Sequence, residues 1–308
     1  MQRSGKREPS GQKVDGQVIY PQMPFDNYLL VDALSRTMAR TIVEDCPAAR
    51  WLEKEETPAL ALGTGAHTAI LEWPRFLATY KVSPMSESSP DKAARRGSKA
   101  WDAAEAAAKS AGRVLVKPDE YAAIVEMRES VMRNREAADL LGDVEYEQIE
   151  LTMTCEIAGV DCKVRLDALT KGMAVVDLKT TQSAKPQDFE KSVDIYWYDA
   201  QAWLIQEACI QNDIPVGLHL DFHFYIIAIE ARGIVEVYKL EQEAIDLGEK
   251  KIRAGVALWK KCRELNRWPS YNCDRETLLP VPSYIGVTDY AKRRWMDRQI
   301  DIFEKEQS

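Results

Sequence analysis

The sequence predicts an α/β fold, on three observations. Helical spacing of apolar residues dominates the first half of the 308-residue chain. Between Glu147 and Lys179 the pattern switches to short runs rich in Val, Ile, Leu and Thr. Helical spacing then returns, interrupted by two further strand-like runs. With no internal repeat and no evident linker, this order points to one core: a central mixed sheet containing an antiparallel meander, flanked by helices.

Residues 1–27 begin polar and rich in Gly, Lys and Arg, without periodic apolar positions, and read as a mobile N-terminal arm. From Tyr28 a helical run (Leu29, Leu30, Ala33, Leu34, Met38, Ile42, Val43) continues to Cys46 and Pro47. A second short helix is expected after Gly63-Thr64-Gly65, and the span from Pro84 to Pro90 reads as a loop. Ser98 to Ala111 and Asp119 to Leu141 read as helices, the latter with Ile124, Val125, Val131 and Met132 on one face.

The meander follows: Glu147 to Ile157, Val160 to Thr170 and Met173 to Lys179, separated by Ala158-Gly159 and Lys171-Gly172. Pro186 to Val193 and Tyr198 to Gln211 read as helices. Leu218 to Ile229 and Gly233 to Leu240 read as strands, and Glu241 to about Leu265 as a long amphipathic helix. The expected organisation is a single domain over 28–284, its amino-terminal helices capping the core, and a helical tail over 285–308.

Forty-one Lys plus Arg against forty-nine Asp plus Glu leave a net charge of −8. That excludes a protein that coats nucleic acid over its whole surface but leaves room for a local basic groove. Six cysteines (Cys46, Cys155, Cys162, Cys209, Cys262, Cys273) form no C-x-x-C pair. They give no support for a zinc or iron–sulfur site and read as structural thiols. Apolar runs fall short of a bilayer span, so no membrane association is expected, and without a signal peptide the expected setting is cytoplasmic.

The informative segment is V-R-L-D-A-L-T-K-G-M-A-V-V-D-L-K, Val164 to Lys179. A hairpin centred on Gly172 sets Asp167 opposite Asp177, so the carboxylates are expected to share one face. Lys179, two residues beyond Asp177, joins that face, while Val176 and Leu178 enter the opposite apolar layer. Two adjacent carboxylates repel unless a cation or proton intervenes. Oxygen ligands suit Mg²⁺ or Mn²⁺, and a nearby lysine can orient a water or stabilise charge on a phosphate. This is the chemistry of phosphodiester cleavage, although the same three residues also fit a surface ion-pair cluster.

The wider context resembles a known family. R-L-D (165–167), V-V-D-L-K-T-T-Q-S-A (175–184), Phe189 and Y-W-Y-D-A-Q (196–201) are similar to the PD-(D/E)xK nuclease superfamily, and more narrowly to the RecE-type (exonuclease VIII-like) recombination exonucleases. Gly63 to Glu72 resembles that branch's G-x-x-x-H-x-x-x-L-E helix, Ala33 to Trp51 its opening helix, and Arg267 to Tyr271 its W-P-G-Y turn. The resemblance spans residues 28–284.

Carried over, the resemblance implies His67, Asp167 and Asp177 as metal ligands, with the backbone carbonyl of Leu178 as a further ligand and Lys179 as the catalytic lysine. Glu150, on the preceding strand and brought near position 168 by the Ala158-Gly159 turn, is a candidate additional acid, though a charged strand end explains it equally. Tyr198 and Gln201 resemble the family's Y-x-x-Q pair, placed to bond a phosphate or base. The related Q-x-x-x-Y pattern would need tyrosine where the chain has Ile205. Lys163 and Arg165, alternating before Asp167, and Arg95 and Arg96, in the cationic stretch from Asp91 to Lys99, are candidate phosphate contacts. Trp197 and Trp203 fit either base stacking or the core.

The resemblance further implies a Mg²⁺- or Mn²⁺-dependent exonuclease acting 5′ to 3′ on double-stranded DNA ends, in a bacterial cell and of phage or prophage origin. It would be a homo-oligomeric ring that leaves 3′ single strands for an annealing protein. A structure-specific or restriction-like endonuclease and a catalytically weak DNA-end-binding scaffold are the alternatives.

Overall fold

The computed structural model describes residues 13–14, 17–51, 57–86, 89–216 and 222–272. The amino-terminal half runs β1 (Lys13–Val14), β2 (Gln17–Tyr20), α1 (Phe25–Leu30), β3 (Leu34–Ser35), α2 (Arg36–Glu44), a 3₁₀ turn (Pro47–Trp51), α3 (Pro58–Leu71), α4 (Trp73–Thr79) and β4 (Tyr80–Val82). It continues with β5 (Met85–Ser86), β6 (Ser89–Ala93), α5 (Lys99–Ser110), β7 (Val114–Val116), α6 (Pro118–Arg133) and α7 (Arg135–Gly142). Then follow β8 (Val144–Ile157), β9 (Val160–Thr170), β10 (Val175–Thr181), α8 (Pro186–Ile195), α9 (Tyr198–Gln211), β11 (Phe224–Glu230), β12 (Val235–Lys239) and α10 (Gln242–Glu264).

The central sheet has the order β1-β2-β8-β9-β10-β11-β12, with β3 alongside β9. It is mixed: β8, β9 and β10 form the expected antiparallel meander, whereas β10 and β11 are parallel. Alternation along β11 shows both faces covered. Phe224, Ile226 and Ala228 pack into a layer with α2, α9 and α10, while Ile227 and Ile229 meet α3 and α6 on the other side. Among the described residues no helix is long and apolar enough to cross a membrane. Trp197 and Trp203 are buried in the α9 layer, as are the thiols of Cys155, Cys162 and Cys209, which burial makes harder to ionise.

Several boundaries differ from the sequence reading. The arm expected over 1–27 is not free along its length. β2 pairs with β8 through Ile19–Met153 and Tyr20–Thr152, covering an edge that would otherwise expose unpaired backbone, and Met23 is buried. The run from Tyr28 is not one helix: it breaks so that Leu34 and Ser35 can pair with β9, after which the Ser35 hydroxyl caps α2 by accepting from Met38 N at 3.2 Å. The stretch from Asp119 to Leu141 divides at Asn134, whose Oδ1 caps α7 and whose Nδ2 donates to the Val235 carbonyl. The expected loop from Pro84 to Pro90 contributes to the β5–β6 hairpin. The strand expected from Leu218 begins at Phe224, residues 217–221 lying outside the described residues, as does the tail over 285–308.

Helix α3 starts at Pro58, so Gly63 and Gly65 lie inside it rather than before it. The reason is close packing: a Cβ at Gly63 would meet Thr180 Oγ1 of β10 at 2.9 Å, and one at Gly65 would meet Ile124 Cδ1 of α6 at 2.5 Å. The missing side chains let α3 settle against β10 and against α6, and the contact with β10 carries His67 to the sheet. Gly65→Val is expected to lower stability by about 1–3 kcal/mol through overpacking. Gly142→Ala, where nothing lies within 4 Å, should leave it unchanged or raised. Thermal unfolding of the two variants checks this.

Candidate active site

The site lies where β9 and β10 part. Their ladder holds Val175 against Leu169 and Val176 against Ala168, then stops. The next pair in that register is Asp177 with Asp167, as a hairpin centred on Gly172 requires. Further back, the edge of β9 is taken by β3, with Leu34 opposite Cys162 and Ser35 opposite Lys163. The Leu178 backbone therefore faces a gap in the sheet. Its N–H donates to Asp167 Oδ2 at 2.7 Å, and its carbonyl accepts from His67 Nε2 at 2.8 Å. His67 Nδ1 lies 3.5 Å from the same Asp167 oxygen.

The two carboxylates take different partners. Asp167 fills the fork with His67 of α3, whereas Asp177 turns to α9, where its Oδ1 accepts from Gln201 Nε2 at 2.8 Å. Asp177 Oδ2 forms an ion pair with Lys179 Nζ at 2.5 Å and has no hydrogen-bond donor among the described residues. Each acid thus has its own compensating partner, and the charge of Asp177 still reaches Asp167. Burial raises the pKa of Asp167 above the ordinary carboxylate range. His67 and Lys179 oppose that shift, and Asp177 reinforces it.

Glu150 stands opposite Asp167, between the Ile149–Ala168 and Leu151–Leu166 pairs of the β8–β9 ladder. It follows a register shift and has φ of 56°, a left-handed backbone that costs a non-glycine residue about 1–3 kcal/mol. The ligating atoms of His67, Glu150 and Asp167 lie within 4.8 Å of one another, and Asp177 is outside that group. His67 Nδ1 faces the Asp167 carboxylate while Nε2 is bonded to the Leu178 carbonyl, so a cation held by both the imidazole and that carbonyl needs the ring to shift off it. With an imidazole nitrogen, two carboxylates and a backbone carbonyl together, the donor set fits a divalent cation of the Mn²⁺ or Mg²⁺ type.

Tyr198 supports the lysine, with Lys179 Nζ lying 4.9 Å from the centre of its ring. Burial and the charge of Asp177 push its phenol up. The other cationic candidates fall differently. Lys163 is buried, donating to the carbonyls of Tyr28 at 2.8 Å, Leu29 at 3.4 Å and Val31 at 2.8 Å, and burial lowers its pKa to about 8. It anchors the end of α1 rather than contacting phosphate. Arg165 pairs with Glu150 and donates to the Met23 carbonyl, so its charge is engaged within the protein. Arg96 pairs with Glu120 and lines a separate pocket, and Arg95 is exposed beside it, so neither belongs to this cleft.

Sequence reasoning passed over Arg36. It donates to the Tyr196 carbonyl at 2.8 Å and to Gln201 Oε1 at 3.1 Å, and it lines the cleft with His67, Asp167 and Lys179. It lies within the A-L-S-R-T-M stretch, where only the helix start carried a local signal. The cleft has a volume of 540 Å³ and gathers Arg36, Arg75, Lys163, Arg165 and Lys179 against Glu72, Glu150 and Asp167. Cations outnumber acids in this lining of a net acidic chain, with Lys163, Arg165 and Arg75 committed to partners within the protein.

Fold and site together define a PD-(D/E)xK-type protein. The chain belongs to the family described as a PDDEXK-like domain of unknown function (DUF3799), whose profile matches residues 42–278. No curated protein matches it. Among solved structures it is similar to a protein from Eubacterium rectale described as a candidate exonuclease, at 14% identity and a TM-score of 0.56, covering 85% of this chain and 96% of that one. At that identity the likeness shows the shared fold. A second structure, SSO0001, matches at 16% identity over 49% of this chain and 66% of its own with a TM-score of 0.23, and carries no argument.

Mn²⁺ at one hundred times its dissociation constant is expected to stabilise the protein by about 2.7 kcal/mol, read as a rise in Tm. Asp167→Asn should abolish the rise, and Glu150→Gln should weaken it.

Proposed function

We propose that this protein is a divalent-metal-dependent deoxyribonuclease that hydrolyses phosphodiester bonds from double-stranded DNA ends. The observation that carries the reading is the fork, where a cation-fitting donor group and an enclosed lysine–carboxylate pair meet in one cleft. The motif order along the chain supports assignment to the RecE-type branch, with 5′-to-3′ polarity, a ring assembly and a single-strand annealing partner as parts of the same proposal.

His67, Glu150, Asp167 and the Leu178 carbonyl would hold the cation, and Asp177 borders it through the fork. When bound, such a cation supplies Lewis acidity to a phosphate oxygen and makes a water more acidic. Lys179 presents its ammonium to the cleft, where a compact charge orients a water or offsets charge growing on the phosphate. Asp177 keeps that ammonium in place from an almost fully enclosed position, its carboxylate exposed only 1%. Gln201 holds the other Asp177 oxygen, so Asp177 has no freedom to swing away. The half-buried Tyr198 ring screens Lys179 from bulk water on one side.

Digestion of end-labelled linear and circular duplexes with Mg²⁺, Mn²⁺ or EDTA tests the reading. Linear DNA should be degraded with either metal, circular DNA spared, and EDTA should stop the reaction. Lys179→Met and Asp177→Asn should each lose at least about 100-fold in rate while still unfolding cooperatively, Lys179→Met at a lower Tm because it leaves the enclosed Asp177 carboxylate uncompensated. Cleavage of circular DNA would indicate an endonuclease, and absence of metal-dependent degradation of any DNA would leave a binding scaffold.

A further inference from the structure

Arg36 opens α2 but bonds to the start of α9, which the chain reaches only after the whole meander. Both of its recorded hydrogen bonds go to neutral oxygens: Nη1 to the Tyr196 carbonyl at 2.8 Å and Nη2 to Gln201 Oε1 at 3.1 Å. Burial lowers the pKa of its guanidinium from the ordinary arginine value, and Asp177 and Tyr198 oppose the shift. A charge held in this way at a cleft wall, without a carboxylate bonded to it, is costly to keep. The geometry shows what it accomplishes.

The two ends of a glutamine amide have nearly the same shape and opposite hydrogen-bonding sense. A guanidinium only donates, so the end of Gln201 that meets Arg36 is Oε1. Nε2 is then the end that faces Asp177 Oδ1, at 2.8 Å. Flipping the amide would set Oε1 against a carboxylate and the NH₂ against a guanidinium, two unfavourable contacts at once. The remaining Asp177 oxygen, Oδ2, holds Lys179 Nζ at 2.5 Å. A single chain of contacts therefore runs from Arg36 through Gln201 and Asp177 to Lys179. The bond to Tyr196 fixes its base, because the next residue, Trp197, takes a left-handed φ of 59° as α9 begins.

We propose that Arg36 is a positioning residue for Lys179, acting through the amide orientation of Gln201 and the carboxylate of Asp177 without contacting substrate. This rests on the hydrolase reading above. It predicts that Arg36 and Gln201 work as one unit, and that lysine cannot replace arginine, since one ammonium lacks the fork that reaches both the Tyr196 carbonyl and Gln201.

The test is a double-mutant cycle of Arg36→Met and Gln201→Met, with kcat and KM measured separately on end-labelled linear duplex at saturating Mn²⁺. Each single variant should lose about tenfold or more in kcat with KM within about twofold of the parent, and the double variant should be no worse than the poorer single. Arg36→Lys should stay impaired. Additive losses would overturn the proposal. A rise in KM at retained kcat would also overturn it, marking Arg36 as a phosphate contact.

A second readout needs no turnover. In ¹⁵N-glutamine-labelled protein, the Gln201 side-chain amide, identified by its loss in Gln201→Met, should exchange slowly with solvent and become fast in Arg36→Met. Equal exchange in both would contradict the contact chain. If the parent hydrolyses no DNA, the nuclease reading fails while the amide measurement still decides whether Arg36 orders Gln201.

Discussion

The backbone of Leu178 governs this site. Where β10 leaves β9, its N–H and C=O lose the strand neighbour that would normally pair them, and buried backbone groups must be paired. Asp167 and His67 take over as acceptor and donor. A break in the sheet thus orients an acid and an imidazole that arrive from different elements, and it leaves them close enough to share a cation. Gly63 serves the same end, because a helix lying close to β10 delivers His67 to that backbone, while Gly65 lets α6 pack against the same helix.

The fork also gives two mutually repelling carboxylates separate partners. Asp177 lies on the α9 side with Lys179 and Gln201, and Asp167 lies on the α3 side with His67 and Glu150. Each acid is compensated by its own partners, which divides the site into a half suited to holding a cation and a half that presents a lysine. Lys163 and Arg165 serve the cleft indirectly. They fasten the segment from Met23 to Val31 across its mouth by bonding backbone carbonyls.

Much of this was legible in the sequence because it is local. The meander strand Val160 to Thr170 and the helix Tyr198 to Gln211 carry their period and punctuation within themselves, and the register about Gly172 follows from one turn. His67 and Lys179 stood in recognisable motifs. What was hidden depends on distant approach. Arg36 gains its role from α9, Arg165 is tied to Met23 in the stretch that composition marked as a mobile arm, Lys163 is tied to the carbonyls at the end of α1, and Gly63 and Gly65 read as breakers although they are contact points. Glu150 could be placed near Asp167 by counting from its turn. The unbroken register from Ile157–Val160 back to Ile149–Ala168 sets it directly opposite, and only its left-handed backbone carried no sequence signal.

Anomalous diffraction from crystals grown with Mn²⁺ tests the central claim most directly. A single strong peak bonded to His67, Glu150, Asp167 and the Leu178 carbonyl, with the imidazole drawn off that carbonyl to make room, is the result this account requires. A fork that retains the His67–Leu178 hydrogen bond at saturating Mn²⁺, with the ion bound elsewhere or not at all, would contradict it.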